Sequence, residues 1–373
     1  MKSSKQHSSH YQAGFSLVEI LVGLVIGLLA TLVIMQVFTV FEGQKRTTGG
    51  AADAQTNGSI ALFMVTKELQ MAGFGMVAGF NSPFDCEPAS TNYGATGITD
   101  ISPITITDGG AAAGASDIVT IRYGDSPSGG IPSLIVPPTG PLGANEVPIG
   151  NNLGCRVNDI ALIVNGTTCN LTTVTGPTDI ATPAVPSVPT PNTASVALQS
   201  VAGAAENNYL SCLGGWNVVT FQVNPNYVAS PTDNEAYMEK NVTPAVADIV
   251  NIQAQYGISA TYDSNLVVQW VDATGGWAAP TVTNRNRIKA VRIAVVARSG
   301  LQEKEDVSIV CSSLTADNPT GLCAWSATSA SPSVASPAPA IDLSNDPDWM
   351  RYRYRVYQTI IPLRNIVWAK NTL

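Results

Sequence analysis

The sequence predicts an α+β protein in which a long N-terminal helix packs on antiparallel β-sheets that carry loop insertions. Three features lead to this prediction: an apolar stretch from Ile20 to Phe41, a helical pattern from Ala51 to Met71, and β-branched runs between turn residues from about Asn81 onward. The chain has 373 residues, of which 45% are hydrophobic and 12% are charged. This composition provides a sizeable core, enough for one large or two ordinary domains.

The apolar stretch has the length and composition of a membrane span. About 20 helical residues cross a bilayer, and the segment from Ile20 to Phe41 contains no charged residue. The polar residues 1–14 precede it with two lysines and no acid, and no small-residue cleavage site follows it. We therefore expect an anchored protein rather than one with an ordinary secretory signal.

The second helical pattern, between residues 51 and 71, has apolar residues at spacings that place them on one helix face. We expect this face to form the contact with a sheet. Its members are Ile60, Phe63, Met64 and Leu69.

Seven segments have the composition of β-strands, and Gly- and Pro-rich stretches between them predict surface loops. The predicted strands are Ile118–Tyr123, Asp159–Val164, Asn217–Val223, Ile249–Tyr256, Leu266–Val271, Ile288–Arg298 and Tyr352–Ile361. The richest predicted loops are Pro177–Pro191 and Ala327–Pro339.

Charge and histidine content exclude several functions from the main domain. With 19 basic and 27 acidic residues the net charge is −8, so nucleic acid is not an expected partner. His7 and His10 are the only histidines, which excludes His-based catalysis and His-containing metal sites beyond them. The sequence has no nucleophile elbow, phosphate loop or dinucleotide fingerprint. We expect neither enzyme activity nor a cofactor nor a bound metal ion.

Glu19 is the exceptional residue at the start of the apolar helix. A carboxylate in this position costs on the order of 2.5 kcal/mol unless a cation pairs with it. Cleavage after Gly14 would create such a cation, the amine of Phe15, four residues away in the same copy or on a neighbouring copy. The alternative is an uncleaved anchor whose Glu19 lies at the level of the lipid headgroups.

Residues 14–19, with the sequence Gly-Phe-Ser-Leu-Val-Glu, resemble the type IV prepilin signature. The resemblance implies that prepilin peptidase cleaves between Gly14 and Phe15 and that the new amine of Phe15 is N-methylated. It also implies that Glu19 is the carboxylate that determines assembly, in a helix that packs into the core of a filament.

Two glycines favour packing of this helix against others. Gly23 and Gly27 form a Gly-x-x-x-Gly pair on one helix face, which allows a second helix to approach closely in lipid. With the prepilin resemblance, the chain divides into a cleaved leader (residues 1–14), a membrane-spanning and amphipathic helix (15–80) and a β-rich periplasmic head (81–373).

The two ends of the chain resemble PilW-type minor pilins. Residues 68–74 resemble the helix exit of that family, except that Gln70 stands where Arg is common. The C-terminal resemblance covers residues 248–257, 291–299, 354–357 and 362–365. Residues 81–237 have no counterpart in this resemblance.

The resemblance implies a type IV pilin-like fold and a low-abundance minor pilin. Such a protein is anchored in the bacterial inner membrane by a single helix, joins other minor pilins and the major pilin, and primes the filament at the pilus tip. A J-class pseudopilin of a type II secretion system is an alternative of the same architecture. A pilus-tip adhesin is a second alternative, since loops on a rigid scaffold often carry binding contacts.

The six cysteines predict disulfides. None forms a Cys-x-x-Cys motif, and an even count in a domain carried across a membrane favours oxidised pairs over free buried thiols. Six cysteines allow 15 pairings. The pairing that closes two short loops is Cys155–Cys169 and Cys311–Cys323, which leaves Cys86–Cys212.

Arginine and tyrosine alternate near the C-terminus, so that a strand would present Arg351, Arg353 and Arg355 on one face. We expect the tyrosines to pack inward and the arginines to face water or an acidic neighbouring subunit. A groove for single-stranded nucleic acid is the alternative.

Two acidic segments are expected to form turns. Asp346-Pro347-Asp348 predicts a turn rather than a calcium site. Glu303 and Glu305 lie in a charged turn that we expect to be solvated.

Overall fold

The computed structural model describes residues 14, 16–76, 86, 91–92, 96–138, 144–152, 154–166, 168–178, 194–314, 319–326, 328–330, 334–339 and 341–368. Residues 1–50 and residues 51–373 form two compact units. The two histidines, Phe15 and most of the predicted loop 177–191 lie outside the described residues.

One helix, α1, runs from Leu17 to Met71. It begins after Ser16, whose carbonyl accepts hydrogen bonds from the backbone N–H groups of Glu19 (3.0 Å) and Ile20 (3.1 Å). It ends before Gly73, whose φ of +73° is a left-handed conformation that glycine adopts without strain. By length and composition α1 includes a segment able to cross a membrane.

The described residues beyond α1 form short helices and many strands. The helices are α2 (Pro225–Ala229), α3 (Val282–Arg285) and α4 (Arg364–Trp368). The strands are β1 (Thr91–Asn92), β2 (Ile104–Thr107), β3 (Ile118–Gly124), β4 (Ser133–Leu134), β5 (Glu146–Ile149), β6 (Ile160–Asn165), β7 (Thr168–Thr178), β8 (Ala194–Leu198), β9 (Tyr209–Gly214), β10 (Trp216–Val223), β11 (Tyr237–Lys240), β12 (Thr243–Ala247), β13 (Ile249–Ser259), β14 (Val267–Val271), β15 (Ile288–Arg298), β16 (Thr328–Ala330), β17 (Val334–Ser336) and β18 (Tyr354–Pro362).

The strands form three sheets and one hairpin. Sheet I has the order β4-β9-β6-β7-β8-β5, with β1 parallel to β7. Sheet II has the order β12-β11-β10-β3-β2, and sheet III has the order β14-β13-β15-β18. β16 and β17 form the hairpin, and the strand pairs in sheets II and III are antiparallel. A long helix with antiparallel sheets confirms the α+β prediction.

The second part of α1 contacts the main apolar core through small side chains. Its buried members are Ala54, Ala61, Val65 and Leu69, and Ala72 just beyond the helix is buried in the same core. The predicted apolar face is therefore wrong at Ile60, which is 45% exposed, and at Phe63, which is 70% exposed, while Met64 is half-buried. The prediction of a helix was correct, but the wrong face was expected to be buried. The buried face contains mostly smaller residues, which let the helix lie close to the strands.

All seven predicted strands are present, as β3, β6, β10, β13, β14, β15 and β18. β18 begins at Tyr354, two residues later than predicted, after a 3₁₀ turn at Trp349–Arg351. The prediction that Arg351 and Arg353 belong to the strand is therefore wrong. The described part of the predicted loop 327–339 contains the hairpin of β16 and β17. This hairpin is tied to sheet III by a hydrogen bond from the N–H of Trp270 to Oγ of Ser336 (3.0 Å).

Three disulfides join Cys86 to Cys169, Cys155 to Cys212 and Cys311 to Cys323. The structure contains the predicted Cys311–Cys323 pair. The predicted pairs Cys155–Cys169 and Cys86–Cys212 are wrong.

The two faces of sheet I explain this correction. Along β6, Ala161 belongs to one apolar cluster and Val164 to a second cluster on the opposite face. Cys212 is the cross-strand neighbour of Ala161, and Cys169 is the neighbour of Val164. The two cysteines therefore point to opposite sides of the sheet, and each bonds a cysteine on its own side.

Candidate functional site

Glu19, the predicted assembly carboxylate, is exposed in the first turn of α1. A negative side chain is favourable there because the free N–H groups of the first turn carry a partial positive charge. Gly14 is exposed and precedes the helix, whereas Phe15 lies outside the described residues. The start of α1 therefore leaves Glu19 accessible to an external cation.

The apolar part of α1 exposes its large side chains from Leu17 to Phe41. Exposure on this scale is unfavourable in water and favourable in lipid or against other apolar helices. A Cβ atom added to Gly23 or Gly27 would contact nothing within 4 Å. Both glycines are open positions at which another helix can approach.

The second part of α1 is fitted to sheet III at Gly58. A Cβ atom added to Gly58 would overlap the ring of Tyr357 in β18 and would lie 3.1 Å from Cβ of Ala297 in β15. Near the end of α1, Nδ2 of Asn365 donates to the carbonyls of Gln70 (3.2 Å) and Ala72 (3.1 Å). The helix is thus held against sheet III by close packing at Gly58, and Asn365 of α4 caps carbonyls at its C-terminal end.

Glu68 fixes the same part of α1 to sheet II. Its carboxylate accepts hydrogen bonds from Nζ of Lys240 in β11 (2.7 Å) and from the hydroxyl of Tyr123 in β3 (2.9 Å). Glu68 is buried, so loss of either donor would leave an under-paired charge in a poorly solvated position. Burial, with the Glu68 hydrogen bond, raises the pKa of Tyr123 to about 12, which keeps the donating proton on the ring.

Arg298, the last residue of β15, lies among aromatic rings. Its guanidinium carbon is 4.3 Å from the ring centre of Tyr352 and 5.4 Å from that of Tyr227, and Nη1 is 3.5 Å from the buried carboxylate of Asp346. Asp348, the other acid of the predicted turn, pairs with Arg351 at 3.2 Å. The acids of this turn therefore serve as counter-ions, and the described residues contain no group of three or more potential metal ligands.

Arg292 occupies the centre of sheet III, in the middle of the apolar run of β15. Its guanidinium lies between the rings of Trp270 (5.2 Å) and Trp325 (5.0 Å), and Nη2 donates to the carbonyl of Pro337 (2.6 Å). Burial lowers its pKa to about 10, so the side chain stays protonated at neutral pH. This cluster is absent from the sequence-based expectations, although an arginine flanked by Val291 and Ile293 inside an apolar strand was a signal for it.

The arginines near β18 are partly neutralised by acids of this chain. Nε of Arg353 is 2.9 Å from Oε1 of Glu303, and Nε of Arg351 donates to the Glu303 carbonyl at 3.0 Å. The expectation that Glu303 is only solvated is therefore wrong. Of the three arginines, Arg355 remains exposed without an ion pair to a described acid. One such cation is little support for a nucleic-acid groove.

The described residues form an α+β protein whose N-terminal helix is long and apolar enough to cross a membrane. Two family models match the chain: Prokaryotic N-terminal methylation motif over residues 9–35, and Type IV Pilus-assembly protein W over residues 223–365. The two matches are those of a PilW-type type IV minor pilin and confirm the resemblance seen in the sequence. No curated protein and no solved structure matches the chain.

The second match begins at the end of β10 and includes the whole of sheet III. It thus contains β15 and β18, the strands that contact Gly58. A minor pilin of this type is a membrane-anchored pilus component that interacts with other pilins and the pilus machinery.

Proposed function

We propose that this protein primes assembly of a type IV pilus within a tip complex of minor pilins. The observation that carries the proposal is the presence of an N-terminal methylation motif and a PilW region in one chain. In this proposal residues 81–373 form a periplasmic head with a type IV pilin-like fold, and residues 15–80 form the anchor and its amphipathic continuation.

The proposed mechanism begins with processing of the N-terminus. Prepilin peptidase cleaves between Gly14 and Phe15 and methylates the amine of Phe15, so the protein acts as a substrate and not as an enzyme. Glu19 then pairs with the N-terminal amine of a neighbouring pilin. The exposed apolar helix supports this step, because Gly23 and Gly27 have open space beside them.

The size of the head supports a tip position. Sheet I, formed entirely from residues outside the PilW match, adds bulk to the head beyond the sheet that contacts α1. A bulky head can be accommodated at the end of a filament, where it need not repeat along the shaft.

The test is a count of surface pili in a deletion strain, with and without the retraction motor, together with secretion and adhesion assays. Loss of pili that partly return when retraction is disabled supports priming. Normal pili with an exoprotein retained in the periplasm would show a J-class pseudopilin instead. Normal pili with reduced adhesion would show a tip adhesin.

A further inference from the structure

One edge of sheet III has no neighbouring strand. β18 is the last strand in the order β14-β13-β15-β18, and among the described residues nothing pairs with its outer side. The strand is nine residues long, or about 30 Å at the usual rise per residue. An edge of this length is a template for another strand.

The register with β15 shows which backbone groups point outward. The pairing is antiparallel without a bulge, and Ser299 and Leu363 donate to the carbonyls of Arg353 and Lys289. In an antiparallel pair, every second residue of a strand directs its backbone N–H and C=O groups toward the partner strand. In β18 the odd-numbered residues direct these groups toward β15. Tyr354, Val356, Gln358 and Ile360 therefore direct their backbone N–H and C=O groups away from the sheet.

Apart from the two-residue strand β1, the other described edges of sheets I, II and III are protected from such pairing. β5 and β12 contain Pro148 and Pro244, and β4 has two residues. On β14 the N–H of Trp270 donates to Ser336, and on β2 the N–H of Ile106 donates to the hydroxyl of Tyr256 (2.6 Å). Only β18 combines length with outward N–H groups that bond to no described residue.

The side chains of this edge suit an acidic apolar partner. Gln358 and Ile360 are exposed, and β18 contains no Asp or Glu. Arg355 within the strand and Arg364 just beyond it are exposed, and neither forms an ion pair with a described acid. This edge is positively charged although the whole chain has a net charge of −8.

We propose that β18 is a docking strand that accepts an extended, acidic segment of another pilin subunit by strand addition. The choice of a pilin as the partner rests on the proposed function. The backbone of Tyr354, Val356, Gln358 and Ile360 would bond the added strand, Ile360 would contact its apolar side chains, and Arg355 would pair with its carboxylate. A second copy of this chain fits less well, because β18 contains no Asp or Glu that could pair with Arg355 of the other copy.

The test uses Gln358→Pro, with Gln358→Ala as the matched control. Proline removes one outward N–H and leaves the β15 ladder intact, whereas alanine changes the same side chain and keeps the N–H. The full-length variants are co-expressed with the other minor pilins of the same pilus system and purified from detergent-solubilised membranes. We expect Gln358→Pro to lower the amount of co-purified pilin about ten-fold, and Gln358→Ala to leave it within about two-fold.

Arg355 provides the second arm of the experiment. Arg355→Glu should lower co-purification several-fold, and Arg355→Gln should have a smaller effect. Intact disulfides and unchanged protease resistance of each variant show that the head is folded. Equal recovery of the pilin with Gln358→Pro and Gln358→Ala would overturn the proposal, as would Gln358→Cys cross-linking only to another copy of this chain.

The two proposals can fail separately. If deletion abolishes pili but Gln358→Pro retains its pilin partner, priming stands and the docking strand is wrong. If Gln358→Pro loses the partner while the deletion strain makes normal pili, the docking strand stands and priming is wrong.

Discussion

Gly58 of α1 lies against the aromatic ring of Tyr357 in β18, in a space that has no room for a methyl group. The contact joins the amphipathic part of the helix to the edge strand of sheet III. Ala54 and Ala61, on the same helix face, are also buried in this core. The close approach of α1 to the sheet therefore depends on the absence of large side chains along its inner face.

Gly58→Ala should destabilise the protein, although alanine favours helix more than glycine does. The added methyl group would displace the Tyr357 ring and approach Ala297, at an expected cost of about 1–3 kcal/mol. The measurement is the urea midpoint of the full-length protein in detergent. Gly49→Ala is the control, because nothing lies within 4 Å of a Cβ atom at that position. Equal midpoints for the two variants would contradict this account of the helix contact.

Glu19→Ala should leave cleavage after Gly14 largely intact and reduce pilus assembly. Processing requires the leader junction, whereas pairing with a neighbouring amine requires the carboxylate. The measurements are the mass of the mature N-terminus and the number of surface pili. Glu42→Ala is the control, since Glu42 is an exposed acid elsewhere in α1. Normal piliation with Glu19→Ala would remove the electrostatic role of this residue.

The disulfides should differ in their effect on stability. In the chain-entropy model, loss of Cys86–Cys169, which are 83 residues apart, costs roughly 4–5 kcal/mol, and loss of Cys311–Cys323, which are 12 apart, costs roughly 3 kcal/mol. The measurement compares urea midpoints of the two double-serine variants. Peptide mapping without reduction tests the connectivity itself, and a Cys155–Cys169 peptide would show that the described pairing is wrong.

The protein should lose stability as the pH rises toward neutrality. The carboxylate of Asp117 accepts hydrogen bonds from the N–H groups of Gly109 (2.9 Å) and Ala254 (2.7 Å), but burial raises its pKa to about 7. The unfolded chain takes up this proton only near pH 3.8. Between these values the folded protein binds more protons, so stability is greater at low pH and falls as the pH approaches 7.

The measurement for this prediction is the urea midpoint at several values between about pH 5 and pH 8. Asp117→Asn should flatten the dependence without removing it, because burial also raises the pKa of Asp159, Asp248 and Asp272. The same slope in Asp117→Asn and wild type would assign the effect to other carboxyls.

Local patterns in the sequence were sufficient to predict the positions of the seven strands. Ile288–Arg298 was predicted with both its ends, because Val and Ile recur along it and it contains no Gly or Pro. The helix of residues 51–71 was also predicted, but its inner face was not. Hydrophobic periodicity assigns the largest apolar residues to the buried face of a helix. The close contact with sheet III instead requires small residues there, such as Gly58 and Ala61.

Long-range contacts could not be predicted from spacing. The pairing of Cys155 with Cys212 depends on which face of sheet I each residue occupies, and that depends on the register of β6 with β9. The partners of Glu68 come from Tyr123 and Lys240, which are 55 and 172 residues away. No local pattern marks such pairs before the sheets are assembled.

The small-residue face of α1 has a consequence for how such a protein can diversify. The fit to the sheet is determined by Gly58, Ala61 and Val65, whereas the exposed Ile60 and Phe63 contribute little to it. Substitutions on the outer face can therefore accumulate without unfolding the head. The inner face of this helix therefore tolerates few substitutions, because it must fit its own sheet. The outer face tolerates many, so it can change to suit the subunit that lies beside it.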